Sequence, residues 1–346
     1  MRSGLNGRRG DMRRILRALK WVAIVVVVSA IGLGVYVAKY WDRTWDVPEP
    51  DLHASTDPAV IARGEYLVYG PAHCAECHTG SVAEVERFVH TGVPPTMAGG
   101  HPMVLGPLGT LYPKNLTPDR ETGIGRYTDG QLARMLRHGV RPDGQASIPM
   151  LMPFSGMSDA DVVAVISFLR SLPPVRHEVP QNEWTAFGKV MRTFISAARP
   201  KLDGRPPKES PPQQLTAARG EYLARSVADC GGCHSPLSMA TGALTGPEFS
   251  GAFEPMEPIP LEGVDTSKWF IAPNITPLKD SAFSKFPDRD IFIARFKNGG
   301  RHYPGSPMPW EGFARMTPED IGAIYEFLRT VPPSGKPAPE DPQVKQ

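Results

Sequence analysis

The longest apolar run, WVAIVVVVSAIGLGVYVA at residues 21–38, holds 18 positions without a charge. Coiled as a helix, such a run covers about 27 Å at a rise of 1.5 Å per residue, close to the thickness of a bilayer's hydrocarbon core. Arg2, Arg8, Arg9, Arg13, Arg14, Arg17 and Lys20 precede it against the single acid Asp11. This basic cluster keeps the N-terminus on the cytoplasmic side and sends everything after Lys39 across. The run is longer than the apolar stretch of an ordinary signal peptide and lacks a clear small-x-small site near its end, which reads as a retained anchor; cleavage near Val37-Ala38 is the alternative. Residues 1–20 are thus expected to be a basic cytoplasmic segment and 21–40 a transmembrane helix.

Beyond residue 40 the apolar positions follow helical periods, and the ends of the helices carry their own signals. Thr128 and Gln131 frame a capping box ahead of QLARMLRH, which Gly139 stops. Ser158 and Asp161 open DADVVAVISFLRSL, and Pro173-Pro174 close it. Thr317-Pro318-Glu319-Asp320 starts a matching helix that Pro332-Pro333 end. No run keeps a period of two, so the fold class expected is all-α. With 38 prolines and 34 glycines among 346 residues, the helices must be short and joined by turn-rich loops.

The chain also repeats itself. ARGEYL at 62–67 recurs at 218–223, so Gly64 and Gly220 lie 156 residues apart; Asn115 of NLTP and Asn274 of NITP lie 159 apart, as do SFLRSLPP and EFLRTVPP. A period this long marks a duplicated domain rather than a solenoid unit. The copies are placed at 55–175 and 212–333, with a linker at 176–211 and a flexible tail at 334–346. Within the linker, Trp184, Phe187, Val190, Met191, Phe194 and Ile195 fall on one helical face, with Lys189 and Arg192 off it. That face suits a helix packed over the two domains, or a surface helix for a partner or a membrane.

The net charge of +2 is uninformative as a total, and no nucleic-acid partner is expected. The four cysteines are more telling. All of them lie in PAHCAECHTG and ADCGGCHSP, the same Cys-x-x-Cys-His spacing in register with the repeat. Two cysteines three apart on a helical turn place their sulfurs to form thioethers with the vinyl groups of one porphyrin, and the next histidine faces the iron. Zinc would want a fourth ligand that neither motif supplies. A redox dithiol would want a βαβ setting. Paired disulfides would leave the histidines and the duplication unexplained. The reading is two covalently attached haem c groups, on Cys74, Cys77 and His78 and on Cys230, Cys233 and His234. Methionine is the common sixth ligand of such iron.

These residues resemble class I cytochrome c domains: a first helix with Gly and an aromatic (Gly64, Tyr66; Gly220, Tyr222), the haem motif, an Asn-Leu/Ile-Thr-Pro loop, a methionine-proline turn, and a last helix with Phe-Leu-Arg. The resemblance covers both copies and implies two tandem cytochrome c domains, in which Gly64 meets Phe168 and Gly220 meets Phe327. NLTPDRETGIGRYTD and APNITP are further similar to the haem domains of membrane-anchored cytochrome subunits of bacterial quinoprotein alcohol dehydrogenases, which have three haem motifs where this chain has two. The resemblance implies haem domains in the periplasm, held to the inner membrane by a single pass, and partners that are redox proteins or a membrane oxidoreductase complex.

For the sixth ligands, Met308 precedes the last helix of the second copy, with Met316 read as core. The first copy offers Met150, Met152 and Met157; Met152-Pro153-Phe154 matches Met308-Pro309-Trp310 at the spacing of the cysteines, while Pro149-Met150 also mirrors Pro307-Met308. Asn115, Asn274 and Tyr127 are candidate partners for haem propionates, although Asn-x-Thr-Pro is equally good turn chemistry. His73, His101 and His302 read as solvated loop residues, with replacement of methionine in some redox state as the alternative, and His138, matched by Asn298 in the second copy, reads as a helix-end surface residue. Function then divides between an electron carrier with two six-coordinate haems and a dihaem redox enzyme, a peroxidase or sulfur-compound oxidase, with one open haem site. The lack of an acid/base constellation near either motif favours the carrier.

Overall fold

A computed structural model of the chain describes residues 3–100, 102–148, 151–202, 204–252, 254–259, 264–336 and 342–345. Helix α1 (Ser3–Tyr40) is continuous, and its segment Arg14–Tyr40 is long and apolar enough to cross a membrane. Along the middle of that segment the side chains are unpacked, with Val25, Val28 and Ile31 each more than 60% exposed, while Val37 near its end is buried. A helix apolar on every side and left unpacked suits lipid rather than water.

The first repeat contains α2 (Pro58–Tyr69), α3 (Cys74–His78), α4 (Val82–Thr91), strands β1 (Met103–Val104) and β2 (Gly109–Leu111), α5 (Asp129–His138) and α6 (Asp159–Ser171). The linker adds β3 (Glu183–Trp184) and α7 (Ala186–Phe194). The second repeat has α8 (Ala217–Tyr222) running into a π turn, α9 (Cys230–His234), β4 (Lys268–Trp269), α10 (Arg289–Lys297), α11 (Trp310–Ala314) and α12 (Pro318–Leu328), and β5 (Gln343–Val344) follows. The expected caps form. Thr128 and Gln131 close their box, Ser158 and Thr317 each accept from the N–H three residues on, and Gly139 ends α5 at φ 65°.

The fold is mostly helical, but the expectation that it is all-α is corrected by two small antiparallel sheets, β1-β2-β3 and β4-β5. Their strands are two or three residues long, too short to leave an alternating pattern, and they pair loops distant in sequence, Gly109 with Trp184 and Lys268 with Val344. The second pairing ties down part of the tail expected to be flexible. The repeats also differ after the haem motif. Residues 82–91 form α4, whereas the matching SMATGALTGP turns at Gly242, which has φ 69°.

Helix α2 crosses α6, and α8 crosses α12, with no room for a side chain between them. A Cβ on Gly64 would stand 1.9 Å from the Ala164 carbonyl oxygen and 2.7 Å from Phe168 Cβ; one on Gly220 would stand 1.8 Å from the Ala323 oxygen. The expected glycine–phenylalanine meeting is therefore seen at Gly64, while at Gly220 the tightest neighbour is the backbone one turn before Phe327. Beside each crossing, Arg63 grips Asp161 through two bonds of 2.9 Å, and Arg219 grips Asp320 at 2.9 and 3.0 Å.

The tyrosines of the repeated hexapeptide reach across. Tyr66 donates to Asp320 at 2.6 Å and Tyr222 to Asp161 at 2.7 Å, so each repeat's aspartate holds its own arginine and the other repeat's tyrosine. Burial first, and then the facing carboxylate, raise both phenols above the ordinary range, which keeps them donors. The methionine segments obey the same two-fold relation. A Cβ on Gly156 would meet Ser226 Oγ at 2.7 Å, and one on Gly312 would meet the Gly70 oxygen and His73 Cβ at 3.1 Å.

Two outcomes are expected from urea titrations. Gly220→Ala should cost about 1–3 kcal/mol, because overpacking must push the crossing apart. The Tyr66→Phe, Tyr222→Phe pair should cost about 1.5–3 kcal/mol per lost bond to a carboxylate and should separate the unfolding of the two repeats into distinct transitions.

Candidate functional site

Both Cys-x-x-Cys-His motifs open in the same way. His73 and Asp229, the residues before the first cysteine, have left-handed backbones at φ 39° and 49°, which turn the chain abruptly into α3 and α9. That conformation is uncommon for non-glycine residues, and its recurrence at equivalent positions marks a required geometry. The histidine at the end of each helix is then oriented by a backbone carbonyl. His78 Nδ1 lies 2.8 Å from the Lys114 oxygen, and His234 Nδ1 lies 2.8 Å from the Pro273 oxygen. Donation through Nδ1 leaves Nε2 with its lone pair, the arrangement of a metal-ligating imidazole. Burial pushes both imidazoles below their usual range, so they are neutral and able to ligate.

Cys77 and His78 line a cavity of about 450 Å³ together with Tyr127 and Met152. Leu116, Ile124, Leu132 and Met135 give it an apolar lining, and Lys114, Arg126, Arg141 and Arg192 supply cations. An apolar volume with a histidine, a thioether and a set of cations fits a flat macrocycle that carries acidic edge groups. In the second repeat Met308 is half-buried against the core, and its carbonyl accepts from Arg301 at 2.8 Å.

The rival readings of the motif fare worse. Among the described residues, no three His, Cys, Asp or Glu side chains converge to hold a metal ion, as a zinc knuckle would need. All four cysteines are unpaired. Burial pushes the Cys74 and Cys230 thiols up to about 12, the opposite of the lowered value that makes a redox dithiol reactive.

The other sequence candidates divide. Met157 and Met316 are 1% and 0% exposed and serve as core, leaving Met152 at the cavity. Met150 and His101 lie outside the described residues. Asn115 and Asn274 are buried, and their polar atoms are engaged within the protein. Asn115 Nδ2 donates to the Val175 oxygen at 2.8 Å while its Oδ1 accepts from Thr117 N at 2.9 Å; Asn274 does the same with Ser334 and Thr276, at 2.8 Å each. These bonds tie each Asn-x-Thr-Pro turn to the chain that leaves the last helix, which is the turn chemistry the pattern also allowed. His73 packs edge-on against Phe313, His138 meets the Lys201 oxygen and His302 meets Tyr303 edge-on; none lines the cavity.

Sequence reasoning missed the wall contributed by the linker. Val179, Gln181, Asn182, Trp184 and Arg192 all line the first cavity. The helical spacing of 184–195 was visible, but its target was not. If the asparagines are turn locks, Asn274→Ala should cost about 2–3 kcal/mol by leaving buried donors and acceptors unpaired, with the visible absorption of the folded protein unchanged.

Comparison with known proteins agrees with this geometry. Residues 61–173 match the cytochrome c family. The chain is 30% identical over 332 residues to the fructose dehydrogenase cytochrome subunit of Gluconobacter japonicus, an alignment covering 92% of this chain and 60% of that one. It is 29% identical over 308 residues to the cytochrome c subunit of alcohol dehydrogenase (quinone) of Gluconobacter oxydans (strain 621H), covering 82% and 58% respectively. A diheme cytochrome c-type protein of Cereibacter sphaeroides is 27% identical over 337 residues, with 93% of this chain and 99% of the relative aligned. The chain thus spans less than two thirds of the length of the two dehydrogenase subunits.

Proposed function

We propose that this chain, whose residues 61–173 are a cytochrome c domain, is a dihaem electron carrier made of two tandem cytochrome c domains. It works on the periplasmic side of a bacterial inner membrane, tethered by α1, as the redox subunit of a dehydrogenase or respiratory complex. The observation that carries the reading is the duplicated histidine: His78 and His234 each end a Cys-x-x-Cys-His turn with Nδ1 bonded to a carbonyl and Nε2 left free. Haem c, once bound, supplies one-electron redox chemistry at its iron.

The protein's own residues have distinct parts in this scheme. Cys74 and Cys77 would tether one haem and Cys230 and Cys233 the other, with His78 and His234 as the imidazole ligands and Met152 and Met308 as the thioether ligands. A methionine ligand of this kind would raise the potential of the group it holds. Arg301 holds the Met308 segment in place by donating to its carbonyl and to that of Ser306 and by pairing with Glu311 at 2.5 Å. Tyr127 and the cations that line the first cavity would be available to acidic edge groups of the haem. The similarity to cytochrome subunits of fructose and alcohol dehydrogenases supports a dehydrogenase as the electron source.

Purified full-length protein from cells competent in haem ligation should carry the mass of two haems and give two low-spin ferric signals. Met308→Ala should convert one of the two to high spin and lower its potential while the other is unchanged, and Met152→Ala should do the converse. A high-spin centre or carbon monoxide binding at one haem of the unaltered protein would overturn the carrier in favour of a dihaem enzyme. An intact mass equal to the bare polypeptide would end both readings.

A further inference from the structure

The apolar face of α7 does not pack over the two repeats. Phe187, Val190 and Phe194, at helical spacing, are 49%, 36% and 48% exposed. The opposite face holds the helix to the first repeat. A Cβ on Gly188 would stand 2.0 Å from the Leu108 oxygen, Thr193 is 4% exposed, and Thr185 caps the helix while donating to the Pro107 oxygen at 2.5 Å. The exposed face is continuous with the end of α1. Phe194 stacks on Tyr36 with ring centroids 5.7 Å apart, the Lys189 ammonium sits 4.7 Å from the Trp41 ring, and Arg192 Nε reaches the Trp41 carbonyl at 3.4 Å.

We propose that α7 lies in the bilayer interface, with Phe187, Val190 and Phe194 inserted among phospholipid acyl chains and Lys39 and Lys189 at the level of the headgroups. This rests on the reading of α1 as the membrane anchor. Tyr36 and Tyr40 lie in the last turns of that helix and Trp41 directly follows it, and aromatic residues of this kind collect where a spanning segment meets water. A short amphipathic helix stacked on that belt, with its apolar side turned away from its own protein, meets lipid at the same depth.

The consequence reaches the redox site. Arg192 of α7 stacks over Trp184 at 4.5 Å, and both line the first cavity. A helix seated on the bilayer thereby forms one wall of the first site and sets that site at the membrane surface.

The test uses the full chain in nanodiscs of phosphatidylethanolamine and phosphatidylglycerol, with the photocrosslinker p-benzoylphenylalanine placed singly at position 25, 187, 194 or 291. Positions 187 and 194 accept it as a close relative of phenylalanine. Val25 of α1 is the lipid reference, and Ile291, 46% exposed on α10, is the aqueous one. Phospholipid adducts at 187 and 194, several-fold above the yield at 291, are expected. Yields no higher than at 291, or crosslinks from 187 and 194 to protein in place of lipid, would overturn the proposal while lipid adducts at 25 kept the anchor intact. Loss of lipid adducts at 25 itself would instead remove the anchor, and the proposal with it.

Discussion

Two buried carboxylates organise this molecule. Asp161 and Asp320 are 2% and 0% exposed, each in the first turn of the last helix of its repeat. There the helix dipole and the backbone N–H groups favour a negative charge. Each is then gripped by a guanidinium from its own repeat and by a phenol from the other. Removing one partner from a buried ion pair costs about 3–5 kcal/mol, so the arginines cannot leave without undoing the helix crossing beside them. The tyrosines have the complementary task. Because each repeat completes the other's ion pair, the two bodies are fixed by the same residues that fix each helix crossing.

That arrangement explains what the sequence could and could not say. The repeat of ARGEYL, its glycines and the caps at Thr128, Ser158 and Thr317 were legible, because local turns and close approaches impose residue types at fixed positions. The partner of Tyr66 was not. A duplicated sequence gives each tyrosine two equivalent aspartates, one in its own repeat and one in the other, and only packing chooses between them. The same limit applied to Asn115 and Asn274, whose pattern suited both a ligand and a turn, and to the strands, which are made by the meeting of distant loops. The methionines were half legible: register pointed to Met152 and Met308 and left Met316 to the core, whereas the core role of Met157 needed its burial to be seen.

The two sites share their fixed parts and differ in their walls. A left-handed residue, a two-cysteine turn and a histidine tied through Nδ1 to a carbonyl recur in both repeats. Around the first, the linker contributes Trp184 and Arg192; Trp184 lies in β3, which pairs with β2 as β5 pairs with β4, whereas Arg192 comes from α7. Duplication thus supplies the same backbone frame twice, and α7 gives the first motif a neighbour of its own.

The reciprocal packing of the methionine segments bears on the same point. The turn between Met152 and Gly156 rests on Ser226, four residues before Cys230, and the turn between Met308 and Gly312 rests on Gly70 and His73, just before Cys74. Each repeat's methionine segment is thus buttressed by the backbone that leads into the other repeat's Cys-x-x-Cys-His motif. With Arg301 and Glu311 also buried beside Met308, at 6% and 7% side-chain exposure, that segment has little freedom to swing away. An enzyme that opens a coordination position needs a ligand loop able to leave. With Met152 and Met308 as ligands in the proposed carrier, loops wedged between two repeats that the aspartates hold together would instead suit passing electrons with little rearrangement.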